Sequence, residues 1–472
     1  MKPSFDALIV NGLVVSETAI APATVAMRGE RIAALLDPDA RPPAREIVDA
    51  TGLHVLPGLI DTHVHTRHPG VAAREDFQSG TAAAAAGGIT TLFEMPISKV
   101  PANSADHVRA RVTAMTPQAH VDFALYGGAG HENIDRIAEQ ADAGVVAFKT
   151  FLQPPPPARL DEFFGLWCTD YRQLREVMRA VASTGRRHCF HCEYAPMYQA
   201  LQAELEAGGR RAGRAHAESR PAIVEELSVA MVLALAAESN GPVGVVHGST
   251  ARSAALVADA RRRGIDVTIE TCPPYLSFTD EALDRLGPFA KCNPPLRSRD
   301  EVNHLWQALA DGQIDYIGTD HSPFLADEKS AWLDDIFKAP PGLCGLEVLA
   351  PLMLTAVANG RLSLRRMVEL CASRAAVIFQ LPDKGRLASG ADADIVLVDL
   401  QSRWTYESSR AITRSRGNMA IYDGVELQGR VVATFVRGVR VFSDGAIVGP
   451  AGHGRFVGPD FSRAAVEKQS PT

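Results

Sequence analysis

Between about residues 57 and 384 short apolar runs alternate with helical stretches, and this alternation narrows most sharply what the chain can fold into. Eight runs read as buried strands: 59–62, 89–95, 121–126, 145–151, 188–192, 243–247, 267–271 and 314–319. Helical patterns lie between them, for example at 79–87, 172–183, 223–237, 250–263 and 300–310. Strands alternating with helices are the signature of βα units on a parallel sheet. Eight such units over this span predict an α/β chain built on a TIM-type (β/α)8 barrel. The run Pro154-Pro155-Pro156-Pro157 suits neither a helix nor a central strand, so it belongs to a loop after the fourth strand.

The two ends of the chain have a different texture. Short β-rich runs (7–10, 13–15, 24–27) precede the barrel, and the pattern returns at 394–398, 431–436 and 439–442. The pairs Asn11-Gly12 and Asp444-Gly445 fit hairpin turns. Neither end is large enough for a core of its own. Residues 1–56 and 385–472, the latter including a tail, are therefore expected to form one small β-sandwich around a barrel of 57–384.

Composition excludes several classes. Apolar residues make up 46% of the chain and charged residues 22%, ordinary values for a globular protein. The net charge of −7 is spread out, and Arg261-Arg262-Arg263 reads as the solvated end of a helix, so no nucleic-acid partner is expected. The start Met1-Lys2-Pro3-Ser4-Phe5-Asp6 lacks the pattern of a secretion signal, and the longest apolar run, 229–237, is too short to span a bilayer. Seven scattered cysteines argue for reduced thiols and a cytoplasmic location. Cys189 and Cys192 have zinc-finger spacing, but no second pair completes such a site, and ordinary strand thiols are the expectation.

Barrels of this kind carry their chemistry at the C-terminal ends of the strands. The first strand runs into Asp61-Thr62-His63-Val64-His65, where alternation puts both histidines on one face. Lys149 lies near the end of the fourth strand, His191 ends the fifth, His247 the sixth, and the eighth runs into Asp320-His321-Ser322. A single strand-end histidine is usually just a hydrogen-bonded side chain. Six metal-compatible residues at five strand ends point instead to a metal centre. Nitrogen and oxygen ligands without cysteine suit zinc, and also manganese, iron or cobalt. Lys149, between Phe148 and Thr150, is costly to bury as an ammonium. Its neutral form can react with carbon dioxide to give a carbamate, in effect a long carboxylate able to bridge two cations. The alternative is a lysine snorkelling to solvent.

Motifs along nearly the whole chain carry a resemblance. They include Pro57-Gly58-Leu59-Ile60-Asp61-Thr62-His63-Val64-His65, Asp76-Phe77-Gln78-Ser79-Gly80-Thr81 and Gly87-Gly88-Ile89-Thr90-Thr91. Further on stand Phe148-Lys149, His191-Cys192-Glu193, Glu270-Thr271-Cys272-Pro273, Asn293-Pro294-Pro295-Leu296-Arg297, Asp320-His321-Ser322-Pro323 and Gly390-Ala391-Asp392-Ala393-Asp394. Together they resemble the cyclic amidohydrolases of the amidohydrolase superfamily, the group holding allantoinase, dihydroorotase and hydantoinase (dihydropyrimidinase). The resemblance implies two divalent ions, zinc in first place. His63, His65 and Asp320 would bind one ion and His191 and His247 the other, with carbamylated Lys149 as the bridge. A hydroxide between the ions would open a cyclic amide or ureide, and Asp320 would pass its proton to the leaving nitrogen. A homo-dimer or homo-tetramer is the family expectation. A non-catalytic scaffold relative would typically have lost metal ligands, whereas all six are retained here.

The substrate signals are mixed. Glu94-Met95-Pro96-Ile97-Ser98 and Phe289-Ala290-Lys291-Cys292-Asn293 resemble allantoinase, whereas Arg67 in His65-Thr66-Arg67-His68-Pro69-Gly70 stands where dihydroorotase carries a carboxylate-binding arginine. Ile97 replaces the asparagine that dihydroorotase uses beside it, and Pro274 replaces a histidine usual in both. The expectation is an allantoinase-like activity. Arg67, Asn293 and Cys344 in the loop Gly342-Leu343-Cys344-Gly345 are candidate substrate contacts. Their structural alternatives are an ion pair of Arg67 with Glu75 or Asp76, a helix cap at Asn293, and a plain turn at Cys344.

Overall fold

The computed structural model describes residues 4–16 and 19–460. Eight parallel strands form the barrel in chain order: Leu59–Val64, Ile89–Glu94, Asp122–Gly128, Ala147–Phe151, Arg187–His191, Val243–Val245, Val267–Thr271 and Tyr316–Ile317. Every residue of these strands is buried, as expected for a parallel sheet wrapped by helices. A parallel bridge between Val64 and His321 joins the last strand's end to the first. The His65 N–H donates to the His321 carbonyl at 2.8 Å beside it.

The sequence expectations for these elements hold to within a few residues. Helices at Phe77–Ala86, Tyr171–Ala182, Ala222–Ser239, Ala251–Arg262 and Arg299–Ala310 lie where the periodicity placed them. The sixth and eighth strands are shorter than the apolar runs suggest. The backbone enters the left-handed region at His247 (φ 42) and Asp320 (φ 50), so the chain turns out of the ladder at the rim. Residues 152–156 have no helix or strand, as the proline run requires, although its last member, Pro157, opens a short 3-10 turn, Pro157–Arg159.

The chain ends co-fold as two layers. One sheet has four strands, ordered Arg31–Leu36, Thr24–Arg28, Phe5–Val10, Ala44–Asp49. The other has seven, ordered Ala446–Ile447, Val439–Ser443, Glu426–Val436, Ile395–Thr405, His54–Pro57, Leu13–Val15, Ile20–Pro22. Ile9, Val25, Ile32, Val55, Ile395 and Phe435 share one core between them. Asp444-Gly445 makes the expected hairpin, pairing Ser443 with Ala446. Asn11-Gly12 does not. Val10 ends in one sheet and Leu13 starts in the other, so the pair is a corner between layers. Val55 Cγ2 would lie only 2.7 Å from a Cβ at residue 12, which explains the glycine without a hairpin.

Two smaller expectations are sharpened. All seven cysteines are free and buried, so Cys189 and Cys192 are ordinary thiols here. Arg261 does not end in solvent but reaches the buried carboxylate of Asp315 at 2.5 Å, while Arg262 and Arg263 are exposed and pair with Asp259. Among the described residues no helix is long and apolar enough to cross a membrane.

Candidate active site at the barrel rim

The first strand delivers His63 and His65 to one side of its end, as alternation requires. Asp320 Oδ1 lies 3.3 Å from His63 Nε2 and 3.2 Å from His65 Nε2. Beside this triad His191 Nδ1 faces His247 Nε2 at 3.0 Å. The His63 ring joins the two groups, its centroid 5.2 Å from those of both His65 and His247.

Lys149 is fully buried, so it does not snorkel to solvent. Its Nζ has no hydrogen-bond partner and sits 5.0 Å from the centre of the Phe151 ring. Burial pushes its ammonium down to about 8, which makes a neutral amine accessible near neutral pH.

Carboxylates behind the imidazoles set their tautomers. Glu270, at the end of the seventh strand, accepts from Thr62 Oγ1 at 2.6 Å and from the His247 N–H at 3.1 Å. Its other contact, His63 Nδ1 at 2.8 Å, leaves the His63 Nε2 lone pair facing the centre. Glu193 does the same for His191, taking Nε2–H at 2.9 Å and pairing with Arg220 at 2.8 Å. Burial pushes His63 down to about 3 and His65 and His247 well below their ordinary value, so these rings are neutral at pH 7. Asp61 fixes the rim from below through the Thr319 N–H and hydroxyl. Glu94 holds the turn after the first strand, accepting from the Thr66 and Arg67 amides and pairing with buried Arg111 at 3.1 Å.

This donor set fits divalent cations. His63 Nε2, which faces Asp320, and Lys149 Nζ are both buried without hydrogen-bond partners, an arrangement costly to leave uncompensated. His63, His65 and Asp320 lie close enough to share one ion. A second acidic group, Asp122 with Asp392 and Asp394, encloses the Lys384 ammonium and is an ion-pair hub rather than a metal site.

A cleft of about 920 Å³ opens above the histidines, lined among others by Ile97, Phe151, Pro154, Arg220, Asn293 and Asp320. Arg67 lines it too. Its Nη2 donates to Ser322 Oγ at 2.6 Å and its guanidinium stacks 4.5 Å over Phe324, while Nε and Nη1 have no partner. Glu75 and Asp76 do not pair with it. They are taken by Thr413, Ser79 and Arg414. Asn293 faces the cleft with Oδ1 unpartnered, and the following helix is capped by Ser298 instead. Cys344 is not brought to the cleft. Its thiol packs on Asn418 Nδ2 at 3.7 Å and the Ser415 carbonyl at 4.0 Å, and Gly342 supplies the wall in its place. The sequence reading missed the supporting roles of Glu94, Glu193, Arg220 and Glu270. Glu193 and Glu270 stand inside strand-end motifs, the only signal that marked them.

A parallel eight-stranded barrel with neutral imidazoles, a buried lysine and an aspartate at its rim defines a class of barrel built for metal-assisted chemistry. The chain belongs to the amidohydrolase family, whose profile ("Amidohydrolase family") matches residues 54–441. It is 38% identical to an allantoinase of Rubrobacter xylanophilus over 97% of this chain and 98% of that one. It is 33% identical to an L-hydantoinase of Paenarthrobacter aurescens over 96% and 98% of the two chains. The solved structure of L-hydantoinase (dihydropyrimidinase) from Arthrobacter aurescens superposes with a TM-score of 0.92 at 33% identity, covering 96% of this chain and all of the other.

Proposed function

We propose that the protein hydrolyses a C–N bond of a cyclic amide, with a cyclic ureide of the allantoin type as its substrate. The convergence of His63, His65, His191, His247, Lys149 and Asp320 beneath one cleft carries this reading. His63, His65 and Asp320 would hold one divalent ion and His191 and His247 another, zinc in first place, with Lys149 between them as its carbamate. When bound, paired cations of this kind lower the pKa of water and polarise a carbonyl. The chain's own residues supply the rest. Asp320 Oδ1 is positioned to take the proton from the attacking water and return it to the ring nitrogen as the amide bond breaks. Neutral imidazoles keep their lone pairs available, and Glu193 and Glu270 hold the rings in place. The free guanidinium edge of Arg67 and the amide of Asn293 face the substrate.

Arg67 also favours a second reading. The unpartnered Nε and Nη1 of a stacked guanidinium suit a carboxylate, as on dihydroorotate. Against it, Ile97 packs with Phe151, Phe163 and Leu166 and offers that carboxylate no hydrogen bond. A dimer or tetramer in the cytoplasm completes the proposal, the unpaired thiols supporting a reducing compartment. Ring opening of allantoin, dihydroorotate, hydantoin and dihydrouracil by zinc-loaded protein tests it. Turnover of allantoin is expected, and turnover of dihydroorotate alone would overturn the substrate.

A further inference from the structure

One wall of the cleft is made by residues 337–342 of the loop after the eighth strand. This segment has no helix or ladder, and Pro340 and Pro341 have no amide hydrogens with which to stitch it down. Its carbonyls are gripped instead by the amines of two buried lysines. Lys291 Nζ donates to Ile336 O at 2.7 Å, Phe337 O at 3.2 Å and Ala339 O at 2.6 Å. Lys329 Nζ donates to Gly342 O at 2.7 Å, Pro288 O at 2.9 Å and Lys291 O at 3.5 Å. The Gly342 N–H returns to Lys291 O at 2.9 Å, so the loops after the seventh and eighth strands are tied together.

Neither lysine has an ion-pair partner among the described residues, although Lys291 is 4% exposed and Lys329 is fully buried. A buried lysine amine is tolerated when its N–H groups find acceptors, and four of the six acceptors here are the wall's own carbonyls at 336–342, the other two being Pro288 O and Lys291 O. The grip extends to the substrate side. Gly342 lies against Ser322, which in turn accepts from Arg67.

Resting on the cleft being the substrate site, we infer that Lys291 and Lys329 are positioning residues that set the 336–342 wall and thereby which ring substituents the cleft accepts. Lys329 lines neither the cleft nor the histidines, so its effect has to pass through the backbone it holds, the wall at Gly342 and the 288–291 loop that the wall is tied to. Lys329→Met keeps the aliphatic stem and removes the donors, while Lys329→Gln keeps two of them.

The test uses both variants in the zinc-loaded full chain, read by amide hydrogen exchange and by kinetics on hydantoin, 5-benzylhydantoin and allantoin. For Lys329→Met, exchange across 336–342 and KM for the substituted rings are each expected to rise about tenfold, with kcat on hydantoin changed by no more than about twofold. Lys329→Gln should fall between this and wild type, and metal content should hold in both. Unchanged exchange at 336–342, an equal change for every ring, or failure of both variants to fold would overturn the inference. Wild-type protein that opens none of the rings would refute the proposed function instead, and the exchange measurement would still decide whether the lysines hold the wall.

Discussion

Glu270 contacts three groups at once: the Thr62 hydroxyl, the His63 ring and the His247 amide. Glu270→Gln keeps the shape but upsets that set, and metal affinity should fall about 10- to 100-fold in a competition titration. Unchanged affinity would remove Glu270 from the centre. Lys149→Ala should lower metal content and cost at least about 100-fold in turnover; full occupancy with wild-type turnover would reject the bridging role. Histidine burial gives a pH prediction with a definite sign. Burial pushes His188 from an ordinary 6.5 to about 3, so below 6.5 the unfolded chain takes up a proton that the folded chain refuses. Stability is therefore complete above that point and falls as pH drops toward about 3, by up to about 1.4 kcal/mol per pH unit for each such histidine. Urea midpoints of the metal-free protein at pH 7 and pH 5 should show the loss.

At the scale of elements, legibility followed how local the signal was. Period-two alternation put His63 and His65 on one face, and the barrel strands were readable because every one of their residues is buried. Support from far along the chain was not readable. Glu270 lies 207 residues from the His63 ring it holds, and no periodicity records that pairing. Arg67 shows the same limit, since whether it met Glu75 or faced a cleft depended on Thr413 and Arg414 arriving from the distant sandwich segment. Asn11-Gly12 has hairpin chemistry, yet the sheets on either side differ, so turn residues fixed a conformation without fixing a partner. Cys344 misled because a loop near the rim can still turn its side chain inward. One close approach gives an element-scale test. A Cβ at Gly87 would lie 1.9 Å from the Leu346 carbonyl, where the first barrel helix meets the loop before the last one. Gly87→Ala should cost about 1–3 kcal/mol by chemical denaturation.

Across the whole molecule, the barrel and the sandwich are joined by buried charge as well as by chain crossings. Lys384 bridges Asp122 of the third barrel strand at 2.5 Å to Asp392 and Asp394 at the return into the sandwich, at 2.9 and 2.8 Å. Arg437, at the end of a sandwich strand, pairs with the same Asp122. Lys384→Met would leave those carboxylates facing one another with less cation among them, and should cost about 3–5 kcal/mol of unfolding free energy. A loss below about 1 kcal/mol would show that the hub does little for the union. The residues proposed for the chemistry lie at the other end of the barrel, on the rim. The most direct measurement is therefore allantoin ring opening, followed by NMR of the product, for zinc-loaded wild type and Asp320→Asn. Wild type should form the ring-opened ureido acid, and the variant should bind allantoin yet turn it over at least about 1,000-fold more slowly. Wild-type protein that opens no cyclic amide, or a variant as active as wild type, would contradict the central claim.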